Sequence, residues 1–234
     1  MWRLPLAAVA FGVLAVAAPA QSTAGVSRFT VTPSTTQAGG HPTLDLVVAF
    51  EPATSDVRGI VLHLPAGLTA NGRAAPFCRS GQLVSDLCPL TTRVGSVTLA
   101  GEALGFQAEA KRNIYNLAPT GAERLRLGVP VFGSFTRGGV ALSLPVTARP
   151  GDGGLDVTLA GPPREVAGYP ILIKQVGFRL QGTVRRKLKR RVRRRSFLTN
   201  PKSCQPATTT LEISPYDPVA PVVTQATAFT PTGC

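Results

Sequence analysis

One segment of the chain concentrates positive charge and is the motif best suited to bind a partner. Residues 185–195 read RRKLKRRVRRR, and nine of these eleven positions are basic. The nine are Arg185, Arg186, Lys187, Lys189, Arg190, Arg191, Arg193, Arg194 and Arg195. Without these nine and Arg3, 15 basic residues face 12 acidic ones, so the rest of the chain carries +3 of the total net charge of +13. The segment therefore predicts an electrostatic docking patch for a polyanion.

Anionic phospholipid headgroups, acidic cell-surface polymers and extracellular nucleic acid all present dense negative charge. Nucleic acid would be bound only non-specifically, because no recognition motif or interleaved aromatic residue accompanies the basic residues. Val184, Leu188 and Val192 offer too little apolar area for deep membrane insertion. Since like charges repel one another in a helix and in a strand, the isolated segment is expected to be disordered, and in the protein we expect a solvated hairpin loop that projects from the sandwich at 185–195. The alternative is that this loop is incidental and has no partner.

Residues that could catalyse a reaction are few and stand in no recognisable motif. His41 precedes Pro42 and is typical of a turn, whereas His63 lies in an alternating strand pattern. No G-x-S-x-G sequence accompanies either histidine, so no Ser–His–Asp triad is indicated. Glu102, Glu109 and Glu123 resemble ordinary strand-edge or loop charges. The sequence predicts a protein that is not an enzyme and has no cofactor; a glycan-active hydrolase built on paired carboxylates is the remote alternative.

Cysteine chemistry favours covalent cross-links over metal binding. The chain has four cysteines, Cys78, Cys88, Cys204 and Cys234, and an even number is typical of disulfides in an oxidising compartment. Three connectivities are possible, and we predict the pairs that are nearest in sequence, 78–88 and 204–234. A zinc site is disfavoured because no C-x2-C pair occurs. Asp152 and Asp156 could suggest calcium, but their glycine-rich surroundings favour a turn, so we predict no metal.

The first twenty residues have the pattern of a secretory signal peptide. Arg3 precedes the apolar run Leu4–Ala17, and Ala18-Pro19-Ala20 supplies the small residues that a signal peptidase requires. Cleavage is predicted between Ala20 and Gln21. The run is short for a membrane span, so we expect no transmembrane segment in the mature chain and a secreted or extracellular protein.

Short strands separated by turns dominate the mature sequence, from 21 to 234. Twenty-four Gly and 21 Pro residues interrupt apolar alternating segments, and this pattern is typical of all-β proteins. We predict an antiparallel β-sandwich in one domain with two disulfides, and a possible subdomain boundary near 145–154. The strands are expected at 28–32, 44–50, 57–64, 94–100, 113–117, 124–131, 140–146, 155–159, 171–180, 208–213 and 222–229.

Several motifs carry a resemblance that covers roughly residues 29 to 204. In order these are AGGHP at 38–42, LPAGL at 64–68, the Cys78 and Cys88 pair, and TNPKSC at 199–204. The chain resembles a group of uncharacterised secreted β-rich proteins of high-GC actinobacteria, in which LPxGL and TNPxSC segments recur. The resemblance implies an exported envelope or extracellular protein and implies no chemistry. The basic segment departs from the pattern of that group.

These observations lead to one expected function and two alternatives. We expect a non-enzymatic secreted β-sandwich that is retained at the cell envelope because its cationic loop docks to anionic surface polymers or phospholipid headgroups. A purely structural or adhesive module with an incidental loop is the first alternative, and a hydrolase is the remote one. A hydrolase would present a cleft with converging acids.

Overall fold

A computed structural model of the chain describes residues 25–103, 106–132, 140–161, 164–166, 169–188 and 191–234. The predicted signal peptide, residues 1–20, lies outside the described residues, and so do Lys189 and Arg190 of the basic segment.

Strands make up most of the described chain. Their bounds are β1 (Val26–Pro33), β2 (Leu44–Thr54), β3 (Gly59–His63), β4 (Thr69–Ala70), β5 (Arg93–Ala103), β6 (Phe106–Leu117), β7 (Glu123–Phe132), β8 (Val140–Ala148), β9 (Leu155–Ala160), β10 (Glu165–Val166), β11 (Tyr169–Leu180), β12 (Thr183–Leu188), β13 (Arg191–Ser196), β14 (Leu198–Thr199), β15 (Ala207–Ser214) and β16 (Val223–Phe229). Two short helical segments follow β4, namely α1 (Ser80–Val84) and a 3₁₀ turn (Leu90–Thr92).

Most strands join one antiparallel sheet in the order β1-β2-β11-β5-β6-β7-β8-β9-β3-β15-β16, with β10 paired to β11. The sheet folds over so that its two edge strands approach each other. Gln225 on β16 donates a hydrogen bond of 3.1 Å to the carbonyl of Val26 on β1. Beyond these strands, the N–H of Ala38 donates to the carbonyl of Thr232 at 2.8 Å.

Two layers of this folded sheet enclose the core. Strand β2 illustrates why the strands pack in two layers. One face of the strand is apolar, because buried residues alternate with less buried ones; the buried residues are Leu44, Leu46, Val48 and Phe50. These side chains and those of β11 face β3, β9 and β15 across the interior. Burial of this apolar surface is the main force that holds the layers together.

Three of the motifs in the sequence meet at one end of the sandwich. Asn200 is 1% exposed, and its Nδ2 donates to the carbonyls of Thr35 at 2.8 Å and Gln37 at 3.0 Å. A Cβ on Gly67, which has a φ of +80°, would lie 3.3 Å from the Cβ of Pro201. The N–H of Asn200 also donates to the carbonyl of Gly40 at 2.9 Å. The AGGHP, LPAGL and TNPKSC segments therefore form a single packed junction.

Both predicted disulfides are confirmed. Cys78 pairs with Cys88 and Cys204 pairs with Cys234, with Cα–Cα distances of 5.5 and 5.8 Å. The first disulfide packs with Leu83, Tyr115 and Leu117 in a small cluster beside the main core.

The predicted all-β antiparallel sandwich with two disulfides is thus confirmed, although its two layers belong to one continuous sheet. Residues 145–154 lie in the β8–β9 hairpin of that sheet. The longest helix among the described residues has five residues, too few to span a bilayer.

Candidate anion-binding site

The basic segment forms a two-stranded antiparallel hairpin instead of an irregular loop. Strands β12 and β13 pair from Thr183 opposite Ser196 to Leu188 opposite Arg191, and they form their own small sheet. The sequence predicted a projecting hairpin loop that would be disordered in isolation, and in the structure the arms of this hairpin are paired strands because its anchored base aligns them. The alternating positions of the arms determine which basic residues share a face.

The base of the hairpin is fixed to the sandwich by burial and by backbone hydrogen bonds. Val184 is 3% exposed and Phe197 is 1% exposed. The N–H of Phe197 donates to the carbonyl of Gly182 at 2.8 Å, and the N–H of Asn71 donates to the carbonyl of Phe197 at 2.8 Å. Gly182 passes so close to His41 that a Cβ added to Gly182 would lie 2.1 Å from the carbonyl oxygen of His41. The hairpin therefore leaves the body in a defined direction.

Like charges lie directly opposite each other on the hairpin. Arg185 pairs with Arg194 and Arg186 pairs with Arg193 in the cross-strand register. Directly opposed like charges destabilise a strand pair. In the part of the chain that the structure describes, no carboxylate oxygen lies within 4.0 Å of these four guanidinium groups. Arg186 does contact the body, because its Nη1 donates to the carbonyl of Arg73 at 3.1 Å.

Exposure of the arms leaves the charges available to a partner. Arg185, Arg193, Arg194 and Arg195 are exposed, and Val192 between the arginines is 65% exposed. The backbones of Lys187 and Arg191 lie in the two strands. The structure thus brings five of the nine predicted basic side chains, all of them arginines, together as one cationic ribbon, with Arg186 the least exposed of the five.

A groove at the base of the hairpin adds a residue that the sequence did not single out. It has a volume of about 480 Å³ and is bounded by β12, β13, the 3₁₀ turn and the start of β5. Arg93, Arg185 and Arg194 line it together with Gln181 and Thr183. Three guanidinium groups beside hydroxyl and amide donors suit the oxygens of a phosphate, sulfate or carboxylate group. No local signal marks Arg93, because it lies 92 residues before Arg185.

A second polar cleft, of about 520 Å³, lies on the opposite layer around His63. His63 Nδ1 lies 2.8 Å from Asp156 Oδ1, and Nε2 lies 3.5 Å from Glu212 Oε1. Arg149 donates to Asp156 at 2.8 Å and to Asp152 at 2.7 Å. These charges tie β9, β3 and β15 together across their register.

Acids do converge at this cleft, the arrangement expected of a hydrolase, but Asp152 and Asp156 are both held by the guanidinium group of Arg149. The side-chain hydrogen bond from Arg149, helped by the N–H of Gly154, lowers the pKa of Asp152. A general acid at neutral pH requires the opposite shift. Asp152 and Asp156, the residues considered for calcium, both bind Arg149. Among the described residues, no three His, Cys, Asp or Glu side chains cluster as metal ligands would.

Comparison with known proteins leaves the function to be argued from this geometry alone. No protein-family model, no curated protein and no solved structure matches the chain.

Proposed function

We propose that the protein is an exported, non-enzymatic β-sandwich that is retained at the cell envelope by docking its β12–β13 hairpin to anionic surface polymers or phospholipid headgroups. The observation that carries this proposal is the directly opposed pair of Arg185 and Arg194, which has no carboxylate partner within the described part of the sandwich. A polyanion would supply the missing counter-charge.

The energy available from the hairpin supports docking without a lipid anchor. A basic residue near an anionic membrane contributes about 1 kcal/mol, and nine such residues lie within eleven positions. The fixed base of the hairpin reduces the conformational entropy that binding would cost. Adsorption at the surface is favoured over insertion, since Val192 is the one apolar side chain described as exposed on the arms.

Export is supported by the sequence of residues 1–20 and is compatible with the two disulfides. The resemblance to secreted actinobacterial proteins points in the same direction. Nucleic acid would bind to the hairpin through its phosphates only, without base recognition.

Binding of the mature chain to vesicles tests the proposal. Wild-type protein should sediment with vesicles that contain phosphatidylglycerol and stay in solution with vesicles of phosphatidylcholine alone. Binding should weaken steeply between low and physiological salt, because screening and counterion release oppose it. Lipoteichoic acid and heparin, as soluble polyanions, report whether a lipid surface is required.

A matched pair of variants separates the hairpin from overall charge. The first carries R193Q, R194Q and R195Q, and the second carries R28Q, R58Q and R124Q, which neutralise three exposed arginines elsewhere. The hairpin variant should lose most of its affinity, whereas the control variant should keep it. Equal losses in both would reduce docking to net charge, and no binding by the wild type would favour a purely structural module with an incidental hairpin.

A further inference from the structure

Strands β6 and β7 diverge and open a fork in the main sheet. β6 pairs with β5 from Phe106 to Tyr115 but pairs with β7 only at three positions, from Tyr115 opposite Gly128 to Leu117 opposite Arg126. β7 nevertheless stays paired with β8 as far as Phe132. Pro130 lies just beyond the last β6–β7 pair and has no N–H to extend the ladder. Nine of the twelve residues of β6 are therefore not paired with β7.

Behind the fork lies an almost wholly apolar cavity of about 100 Å³. Val97 and Ala110 line it from β5 and β6, and Val129 and Leu142 line it from across the fork. A second apolar cavity of about 60 Å³ continues into the core and shares Phe178 with the first.

The mouth of the cavity is not sealed by the described residues. Val97, Leu142 and Phe178 face inward yet are only partly buried, and Ala110 is exposed. Inward-facing apolar side chains in a closed core would be fully buried. This incomplete closure distinguishes the fork from the packed side of the sandwich, where Ile114 is 0% exposed.

Arg112 places a positive charge at this apolar mouth. It lies on the inward face of β6, directly opposite Val97, and lines the cavity. Its Nε is buried and has no hydrogen-bond partner among the described residues. No carboxylate of those residues lies within 4.0 Å of the Arg112 guanidinium group. A buried N–H without an acceptor is costly, so a ligand that supplies an oxygen there gains affinity.

We propose that the fork binds a medium-chain alkyl carboxylate, with its chain in the apolar cavity and its carboxylate on Arg112. Guanidinium groups hold carboxylates through paired charge-assisted hydrogen bonds. The two adjoining cavities, of about 100 and 60 Å³, together match the apolar cavity of about 150 Å³ that accommodates benzene, so an alkyl chain of roughly six to seven carbons fits. This site is independent of the hairpin. The competing explanation is that Arg112 is an inward charge that prevents another strand from pairing at the open edge.

Titration of the mature chain with octanoate tests the site, with octanol and octyltrimethylammonium as matched ligands. We expect saturable binding of octanoate, at least about tenfold weaker binding of octanol, since a charge-assisted hydrogen bond is lost, and no binding of the cation. In the wild-type protein, nuclear Overhauser effects should connect the octyl chain to the methyl groups of Leu142. Absence of saturable octanoate binding, or of those effects, overturns the proposal whatever the variants do.

Two variants and two controls assign the roles within the site. R112Q should bind octanoate at least about tenfold more weakly and bind octanol as the wild type does, because only the charged contact is removed. A110W should abolish binding of both ligands by filling the mouth. The controls are K111Q, which removes the neighbouring charge, and A118W, which adds the same ring in an exposed loop; both should bind as the wild type does. If A110W and the wild type bind octanoate equally, the ligand lies elsewhere and the proposed site is overturned. The variant with R193Q, R194Q and R195Q should bind octanoate as the wild type does, which keeps this result separate from docking of the hairpin.

Discussion

Arg185 and Arg194 stand directly opposite each other across the β12–β13 hairpin, and both line the groove that Arg93 completes. Such a pair is unfavourable for the isolated hairpin. An anion between the guanidinium groups would remove this repulsion, so the proposed function would couple anion binding to the stability of the hairpin. The anchored base of the hairpin keeps the two arginines together in the absence of the anion.

Converting this like-charge pair into an ion pair should stabilise the hairpin. R194E places a carboxylate opposite Arg185, and a favourable cross-strand pair contributes roughly 0.2–1 kcal/mol. Hydrogen exchange of the backbone amides in 183–196 should slow, while affinity for anionic vesicles falls. R58E makes the same charge change at an exposed position outside the hairpin and should leave that exchange unaltered. Faster exchange in R194E would show that the two side chains do not oppose each other.

Arg93 should contribute to anion binding although it lies outside the basic segment. R93Q removes one of the three guanidinium groups of the groove, and one basic residue near an anionic surface contributes about 1 kcal/mol. We expect affinity for phosphatidylglycerol vesicles to fall about fivefold. R124Q, which neutralises an exposed arginine on β7, is the control. Identical affinities of R93Q and wild type would exclude the groove from the docking surface.

The two disulfides should stabilise the fold unequally. Replacing Cys204 and Cys234 by Ser frees a longer loop, with a sequence separation of 30, and should cost about 3.7 kcal/mol. The corresponding change at Cys78 and Cys88, with a separation of 10, should cost about 2.8 kcal/mol. Urea unfolding of the two double variants measures both free energies. The reverse order would show that loop closure is not the dominant contribution.

Asn200 should be essential for stability and dispensable for docking. N200A removes two hydrogen bonds to the carbonyls of Thr35 and Gln37 at a buried position, and the loss should be about 2 kcal/mol. N71A removes an exposed asparagine with a local hydrogen bond and should cost much less. Chemical denaturation measures both. If N200A instead weakened vesicle binding without changing the free energy of unfolding, the TNPKSC segment would belong to the binding surface.

The Arg149–Asp152 pair predicts a contribution to stability that is lost in acid. Hydrogen bonds from Arg149 lower the pKa of Asp152 in the folded state, so this contribution is complete above the ordinary carboxyl pKa of about 3.9. It disappears as the pH falls through the lowered folded-state pKa. D152N should therefore melt at a lower temperature than the wild type near neutral pH, and the two melting temperatures should converge below that pKa.

A matched substitution checks that this effect belongs to the ion pair. E109Q neutralises an exposed carboxylate on β6 that has no ion pair among the described residues, and its melting temperature should follow that of the wild type throughout. A D152N deficit that persists in strong acid would mean that packing, and not charge, is responsible.

The sequence by itself determined the features that depend on neighbouring residues. Alternating apolar residues such as Leu44, Leu46 and Val48 specify strands, because a two-residue period places them on one face. The nearest cysteines pair because short loops close readily, and the nine basic residues of 185–195 determine where positive charge concentrates. The register of the β12–β13 hairpin could not be predicted from the sequence, because nine repelling charges contain no strand signal. In addition, the base of the hairpin at Phe197 is anchored by residues far away in sequence.

Tertiary structure decided everything that depends on distant segments meeting. The addition of Arg93 to the groove, the contact of Asn200 with Thr35 and the placement of Arg112 at an open fork all follow from strand order, and the order of β5, β6, β7 and β11 has no local signature. A single sequence encodes the apolar face of each strand but not which strand lies beside it, because many pairings would bury similar apolar areas. Sites built across several strands therefore emerge only from the folded chain.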